Sequence, residues 1–213
     1  MSIAERYAAL RAEVPAHVTI VAVSKFQPAE AVGEAIAAGV TDVGENYVQE
    51  ARGKLSGLNV RKHFIGHVQT NKAKTIAATF DMVQSVDRIE AGAALAKAAA
   101  ALGKRLPVLL QLNISPTERF GCQPADAERL AEELRAHDAL ELQGVMAIGP
   151  ITDDREILAR AFETAAHVFA RTGGSTLSIG MSGDWREAVA AGSTMIRAGT
   201  AIFGPRPAPR ASK

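Results

Sequence analysis

Two glycine-containing stretches near the C-terminus could bind a phosphate group, and a lysine near the N-terminus could react with a carbonyl. The stretches are 178–184 (SIGMSGD) and 195–204 (MIRAGTAIFG), and both are predicted to turn at a strand end. Lys25 directly follows the apolar run 18–24 (VTIVAVS), which is typical of a β-strand. A lysine amine facing a phosphate-binding turn suits pyridoxal 5′-phosphate (PLP), because the cofactor's aldehyde forms a Schiff base with an amine.

Taken singly, these residues have ordinary alternatives. Lys25 is nucleophilic only where apolar surroundings or a nearby cation disfavour its ammonium form, and a surface lysine fits the same position equally well. Ser182 either binds phosphate at the start of a helix predicted from Asp184 or simply caps that helix. Gly199, after Arg197, either admits a ligand or is a turn glycine. The joint interpretation is favoured because a closed barrel would make the first and last strands neighbours.

The elements that must position these residues alternate regularly along the chain. Predicted strands cover 18–24, 42–44, 63–66, 82–85, 108–113, 142–148, 176–181 and 195–203. Predicted helices cover 28–38, 47–55, 70–78, 88–102, 125–137, 153–171 and 185–191, and a further helix precedes the first strand. Eight β/α repeats predict an α/β fold, a single-domain (β/α)8 TIM barrel with an extra N-terminal helix. An open doubly wound sheet is the alternative, and the regular spacing of eight strands favours the barrel.

The composition is that of one globular domain. The chain has 213 residues, of which 47% are hydrophobic and 22% charged. We expect one PLP-binding domain over 1–213, with an N-terminal helix and lead-in over 1–17 and a flexible tail over 205–213. The formal net charge of +1 gives no field that would favour nucleic acid or an anionic membrane. The alanine-rich segment 91–102 is far shorter than the roughly 20 apolar residues of a membrane span. A single cysteine and no signal sequence lead us to expect a cytoplasmic protein.

Polar residues collect where the predicted strands end, at the face where barrels of this type carry their chemistry. They are Lys25, Glu45, Asn46, His67, Gln69, Asn71, Ser85, Asp87, Asn113, Ser182 and the segment 197–200 (RAGT), and the apolar Met146 lies among them. Other chemistries fit less well. His63 and His67 lack the helix and intervening glutamate of a zinc motif, so we expect no metal. Cys122 is interpreted as a packing residue because no base adjoins it in sequence.

The ordered motifs together resemble one family. They are 22–25 (AVSK), 44–50 (GENYVQE), 63–72 (HFIGHVQTNK), 85–87 (SVD), 144–148 (GVMAI), 177–184 and 192–204. This series is similar to that of the pyridoxal phosphate homeostasis proteins, the single-domain fold-type III group also called the proline synthetase co-transcribed family. The resemblance runs from the first strand to the C-terminus. It implies a barrel like the N-terminal domain of alanine racemase.

The resemblance also implies a PLP site made by eight residues: Lys25, Asn46, Ser85, Met146, Ser182, Arg197, Gly199 and Thr200. Lys25 would hold PLP covalently as an aldimine, and Arg197 would face the pyridine nitrogen. Ser182, Gly199 and Thr200 would bind the phosphate, while the other three residues would line the pocket. A cation beside the ring nitrogen disfavours its protonation, so the ring becomes a weaker electron sink.

Three functions follow as expectations. The favoured one is a PLP-binding homeostasis protein that acts as a monomer, holds the aldehyde and serves PLP-dependent apoenzymes. The first alternative is a PLP-dependent amino-acid racemase or decarboxylase; efficient racemisation is not expected, because Tyr7 and Tyr47 lie on no appended domain that could supply a second base. The second alternative is a cofactor-free Schiff-base barrel lyase that uses Lys25 with Glu45 as acid or base.

Overall fold

The protein forms a closed barrel of eight parallel strands in a computed structural model that describes residues 1–117 and 119–205. The strands are β1 Thr19–Val23, β2 Asp42–Glu45, β3 Arg61–Phe64, β4 Met82–Val86, β5 Leu106–Asn113, β6 Leu140–Ile148, β7 Thr176–Met181 and β8 Met195–Ala198. Each strand pairs with the next, and β8 pairs with β1 to close the barrel, with Ala22 opposite Ala198. The predicted barrel is therefore confirmed, and the open sheet is excluded.

Helices surround the barrel. They are α1 Ile3–Glu13, α2 Ala29–Ala37, α3 Val48–Lys54, α4 Ala73–Thr79, α5 Ile89–Ala101, α6 Ala127–Arg135, α7 Arg155–Thr172, α8 Trp185–Ala190 and α9 Thr200–Phe203. Short 3-10 turns, Thr70–Lys72 and Pro124–Asp126, precede α4 and α6. The expected N-terminal helix is α1, whose first turn is closed by a capping box between Ser2 and Glu5. It packs against α2 and α9.

Alternation along the strands separates two hydrophobic clusters. Val83 and Leu110 belong to the large cluster between strands and helices. Their neighbours Met82 and Leu109 form a separate small cluster with Met146. Because successive strand residues face opposite sides, this small cluster lies in the barrel lumen.

Several predicted strand boundaries were wrong: β5 and β6 each begin two residues earlier than predicted, and the third and last strands differ as follows. The last strand was expected over 195–203, but β8 ends at Ala198 and Thr200–Phe203 is helical. The apolar run continues, yet the Ser182 hydroxyl accepts hydrogen bonds from the backbone N–H groups of Gly199 and Ala201 and turns the chain there. The third strand was expected over 63–66; β3 covers Arg61–Phe64 because its pairing with β2 already begins at Arg61. The expected flexible tail, 205–213, lies outside the described residues except for Pro205.

No helix in the part of the chain that the structure describes is long and apolar enough to cross a membrane.

Candidate functional site

A cavity of about 230 Å³ opens where the strands end, and it contains most of the predicted site residues. It is lined by Val23, Lys25, Asn46, Ile65, Met146, Ile148, Met181, Ser182, Gly183, Arg197, Gly199 and Thr200. Lys25 and Gly199 meet in it because β1 and β8 are paired. The barrel closure thus brings the two ends of the chain to one site, as the sequence predicts.

Lys25 lies in a tight turn that follows β1. The Gln27 N–H donates to the Ser24 carbonyl at 2.9 Å, so Lys25 and Phe26 are the central residues of the turn. Phe26 has a φ of 65°, in the left-handed region that a bulky side chain rarely adopts. Its backbone N–H donates to Glu50 Oε2 at 3.1 Å. Surrounding contacts must therefore hold this turn in place.

Lys54, at the end of α3, supplies those contacts. Its ammonium group donates to the carbonyls of Ser24 (2.6 Å) and Gln27 (3.1 Å), which are the two ends of the Lys25 turn. It also pairs with Glu45 Oε1 at 2.5 Å and with Glu50 Oε2 at 3.1 Å. Glu45 is fully buried and accepts a further hydrogen bond from the Ser24 hydroxyl at 2.6 Å. Glu45, which the sequence offered as an acid or base, is thus engaged in an ion pair beneath the turn.

Arg197 is the second cation of the cavity, and it is almost completely buried. Its Nη1 donates to the carbonyl oxygen and to Oγ of Ser178, both at 2.7 Å, and its Nη2 donates to the Ala147 carbonyl at 2.8 Å. These contacts use three of the five guanidinium donors. Burial lowers the pKa of Arg197 to about 10, while Asp184 acts in the opposite direction. The guanidinium is therefore still charged at neutral pH.

Ser182, Gly199 and Thr200 also line the cavity. The sequence suggests that Ser182 either binds phosphate at the start of a helix or caps that helix, but in the structure it makes a different contact. The helix α8 begins at Trp185 with Asp184 as its N-cap residue, so Ser182 does not cap it. Its hydroxyl instead accepts from the N–H groups of Gly199 (3.1 Å) and Ala201 (3.2 Å), joining the two phosphate-compatible turns.

Of the three residues predicted to line the pocket, two are in the lining and one is not. Asn46 and Met146 line the cavity. Asn46 Oδ1 is buried, and no described residue donates a hydrogen bond to it, so it can accept one from a ligand. Ser85 is fully buried and its hydroxyl donates to the Gly66 carbonyl. The structure does not bring Ser85 into the lining.

A larger cavity of about 670 Å³ adjoins the first and shares Asn46, Ile65 and Ile148 with it. His67 lies there, with its ring stacked on Phe120 at a centroid distance of 3.9 Å. His63, by contrast, bonds to Asp42 inside the barrel, so the two histidines do not act together.

Sequence reasoning missed several residues of the site. Lys54 had the signature of an exposed lysine in the last turn of a helix. Ile65 and Ile148 had the signature of core positions, although they line both cavities. Among the described lining residues of the Lys25 cavity, the ionisable groups are two cations, Lys25 and Arg197, and there is no carboxylate, imidazole or phenol. The cavity is thus suited to an anionic ligand.

Comparisons with known proteins agree with this geometry. A family model described as alanine racemase, N-terminal domain, matches residues 1–207. The pyridoxal phosphate homeostasis protein of Pseudomonas aeruginosa is 43% identical over 198 residues, covering 90% of this chain and 86% of the relative. The protein of the same name from Escherichia coli (strain K12) is 40% identical over 207 residues, covering 90% and 87%.

Solved structures show the same relationship. PipY of Synechococcus elongatus PCC7942 with PLP bound superimposes with a TM-score of 0.89 at 36% identity, covering 95% of this chain and all of PipY. Alanine racemase of Clostridium difficile 630 superimposes with a TM-score of 0.80 at 14% identity, covering 98% of this chain and 57% of the racemase. At 14% sequence identity, this similarity shows that the two proteins share a fold.

Proposed function

We propose that this chain, which belongs to the pyridoxal phosphate homeostasis protein family, binds PLP and takes part in intracellular PLP (vitamin B6) homeostasis. The observation that carries the proposal is the lining of the Lys25 cavity, which combines two cations with the hydroxyls of Ser182 and Thr200. PLP brings an aldehyde that condenses with an amine and a phosphate that carries nearly two negative charges. The PLP-bound PipY structure, similar over 95% of this chain, supports the same ligand.

We infer that Lys25 holds the ligand covalently. The amine nitrogen would add to the aldehyde carbon, and loss of one water molecule would leave a carbon–nitrogen double bond. The tight turn that carries Lys25 supports this role, because Lys54 is hydrogen-bonded to both of its ends. PLP, when bound, supplies an electron-withdrawing ring conjugated to that bond.

The remaining contacts follow from where the side chains lie. Ser182, Gly199 and Thr200 would bind the phosphate on the side of the cavity that joins β7 to β8. Arg197 would face the ring nitrogen with the donors that no described residue engages, and its charge would keep that nitrogen deprotonated. Asn46 Oδ1 would accept a hydrogen bond from the ligand. Ser85 is left out, because its hydroxyl donates to the backbone.

A binding role fits the cavity better than racemisation does. Racemisation needs acid/base groups on both faces of the cofactor. The Tyr7 hydroxyl donates to the Gly39 carbonyl, and Tyr47 pairs with Phe26. Neither tyrosine is among the residues that line the Lys25 cavity. The described lining therefore supplies Lys25 and no evident second base.

We further propose that the protein acts as a cytoplasmic monomer that supplies PLP to apoenzymes. A net charge of +1 and a single cysteine suit a protein of a reducing compartment with a small ligand. Light scattering on the purified chain checks the monomer, and transfer of PLP to an apoenzyme across a dialysis membrane, compared with transfer in mixture, checks direct delivery.

The test is a PLP titration of the wild-type chain and of Lys25→Ala, followed by visible absorption, borohydride reduction and peptide mapping. We expect a visible band in the wild type that disappears in Lys25→Ala, and a reduced adduct that maps to Lys25. Lys72→Ala is the matched control, because Lys72 lies at the same end of the barrel but not in this cavity. It should bind PLP as the wild type does.

Two results would contradict the proposal. The absence of a band at saturating PLP would refute PLP binding and favour the cofactor-free lyase. A borohydride-reducible adduct at wild-type yield in Lys25→Ala would show that another amine carries the covalent bond.

A further inference from the structure

Five buried polar side chains form one hydrogen-bonded chain through the barrel interior, here named the Arg197–Asp42 chain: Arg197, Ser178, Gln84, His63 and Asp42. None is more than 7% exposed. The successive distances are 2.7 Å from Arg197 Nη1 to Ser178 Oγ, 2.7 Å to Gln84 Oε1, 2.9 Å from Gln84 Nε2 to His63 Nδ1, and 2.8 Å from His63 Nε2 to Asp42 Oδ1. Gln84 is on β4 and Ser178 on β7, which are not neighbouring strands, so the chain crosses the lumen.

The two ends of the chain determine the direction of every hydrogen bond in it. A guanidinium can only donate, so Ser178 Oγ accepts from Arg197 and gives its own proton to Gln84 Oε1. That contact points the Gln84 amide nitrogen at His63 Nδ1, which must accept. The neutral His63 ring then carries its proton on Nε2 and donates it to the Asp42 carboxylate. Each group donates to the next, from the cation to the anion.

Side contacts are consistent with this direction. The second N–H of the Gln84 amide faces Met195 Sδ at 3.2 Å, a weak acceptor. The Asp42 carboxylate also accepts from the Thr41 hydroxyl at 2.7 Å. Burial raises the pKa of Asp42, whereas the hydrogen bonds from His63 and Thr41 and nearby positive charge, including that of Arg61, lower it. On balance the pKa lies below its usual value, so the carboxylate is ionised at neutral pH.

We propose that the Arg197–Asp42 chain is a positioning device: it fixes the Arg197 guanidinium in the orientation that presents its unused donors to the ligand in the Lys25 cavity. Ser178, Gln84, His63 and Asp42 are positioning residues, since none of the four is among the residues that line that cavity. The proposal rests on the proposed function for the identity of the ligand. The hydrogen bonds polarise one another in the buried interior, so a change at one member reaches the others.

The first experiment needs no cofactor. Long-range ¹H–¹⁵N spectra of the histidine rings in the full chain should show His63 protonated on Nε2 alone. Ser178→Ala removes the hydroxyl that orients the Gln84 amide, so the His63 nitrogens should shift toward a mixture of the two neutral forms, although Ser178 and His63 do not touch. Ser193→Ala is the matched control: this equally buried serine donates to the carbonyls of Ile179 and Met195 and is outside the chain.

The second experiment measures PLP affinity and the visible spectrum of the bound state for the same variants. Ser178→Ala should bind PLP about 3- to 10-fold more weakly, the effect of one ordinary hydrogen bond, because Arg197 keeps its contacts to the carbonyls of Ser178 and Ala147. The band should shift because the ring nitrogen loses its fixed neighbour. Ser178→Ala keeps the carbonyl contact to Arg197, so it should fold. Gln84→Leu, which breaks the chain in its middle, should give a larger loss of affinity.

The outcomes separate this inference from the proposed function. If the wild-type protein showed no PLP band, the proposed function would be refuted. The His63 spectra would then test only the direction of the hydrogen bonds in the Arg197–Asp42 chain. A His63 proton on Nδ1, or His63 signals that are unchanged in Ser178→Ala, would refute the proposed direction of the hydrogen bonds in the Arg197–Asp42 chain. An equal loss of affinity in Ser193→Ala would show that any buried hydroxyl matters and would overturn the positioning role.

Discussion

Replacing Lys54 by methionine should destabilise the protein strongly, because it leaves a buried carboxylate without its partner. The side chains of Lys54 and Glu45 are 8% and 0% exposed, and their charged atoms are 2.5 Å apart. Removing one member of a buried ion pair typically costs about 3–5 kcal/mol, since the other charge stays desolvated. For a chain of this size, about 2–4 °C of Tm is lost per kcal/mol, so the expected decrease is about 6–20 °C.

Two comparisons isolate the cause. Glu45→Gln combined with Lys54→Met removes both charges and should recover at least about 1 kcal/mol relative to Lys54→Met alone. Lys104→Met is the matched control, because Lys104 is also partly buried and donates to the Phe80 carbonyl, but it holds no buried carboxylate. It should lose about 1 kcal/mol or less.

The assay is urea unfolding followed by circular dichroism, together with the rate of formation of the PLP adduct. Lys54→Met should slow adduct formation as well, because the Lys25 turn loses two of its hydrogen bonds. A loss of stability below about 1 kcal/mol would refute the reasoning, since it would mean that Glu45 is adequately solvated or hydrogen-bonded without Lys54.

Two further predictions concern a thiol and a glycine. Burial and nearby carboxylates raise the pKa of Cys122 to about 12. At pH 8 a thiol reagent should therefore label Cys122 in the native protein on the order of a hundredfold more slowly than it labels a free cysteine. Labelling at the rate of a free cysteine would contradict this burial. Gly180 has a φ of 93°, and a Cβ there would lie 2.5 Å from the Ala188 Cβ, so Gly180→Ala should cost about 2–5 kcal/mol in urea unfolding. Gly33→Ala, in a helix with open space around the new Cβ, should be neutral or stabilising, and an equal loss at both positions would refute the steric argument.

The parts of the site that lie on strand ends could be predicted from the sequence. Lys25 follows the first predicted strand and Gly199 lies on the last one, so a closed barrel had to place them side by side. The end of β8 could not be predicted, because residues 201–203 remain apolar after the strand has ended. The signal that ends it is the hydroxyl of Ser182, which comes from a different strand connection.

The supporting contacts could not be predicted, because they depend on which face of each strand is inside. All five residues of β4 are buried, including Gln84 and Ser85, so polarity gives no alternation from which to infer a lumen face. Lys54 contacts residues 27 and 30 positions earlier, and its spacing in α3 indicates only a basic helix end. Long-range polar contacts of this kind leave no local pattern in one sequence.

The two cations of the cavity are held by separate networks, and this separation bears on how the site works. The Lys25 turn is fixed from the α3 side by Lys54, whereas Arg197 is fixed from the lumen by Ser178 and the residues beyond it. Both networks consist of protein groups alone, so the Lys25 turn and the Arg197 guanidinium are held without any contact from a ligand. Pre-organised groups cost less conformational entropy on binding, which favours tight retention of a small anionic ligand. A protein that buffers a reactive aldehyde needs retention more than turnover, and the absence of a second base in the described lining of the Lys25 cavity fits that need.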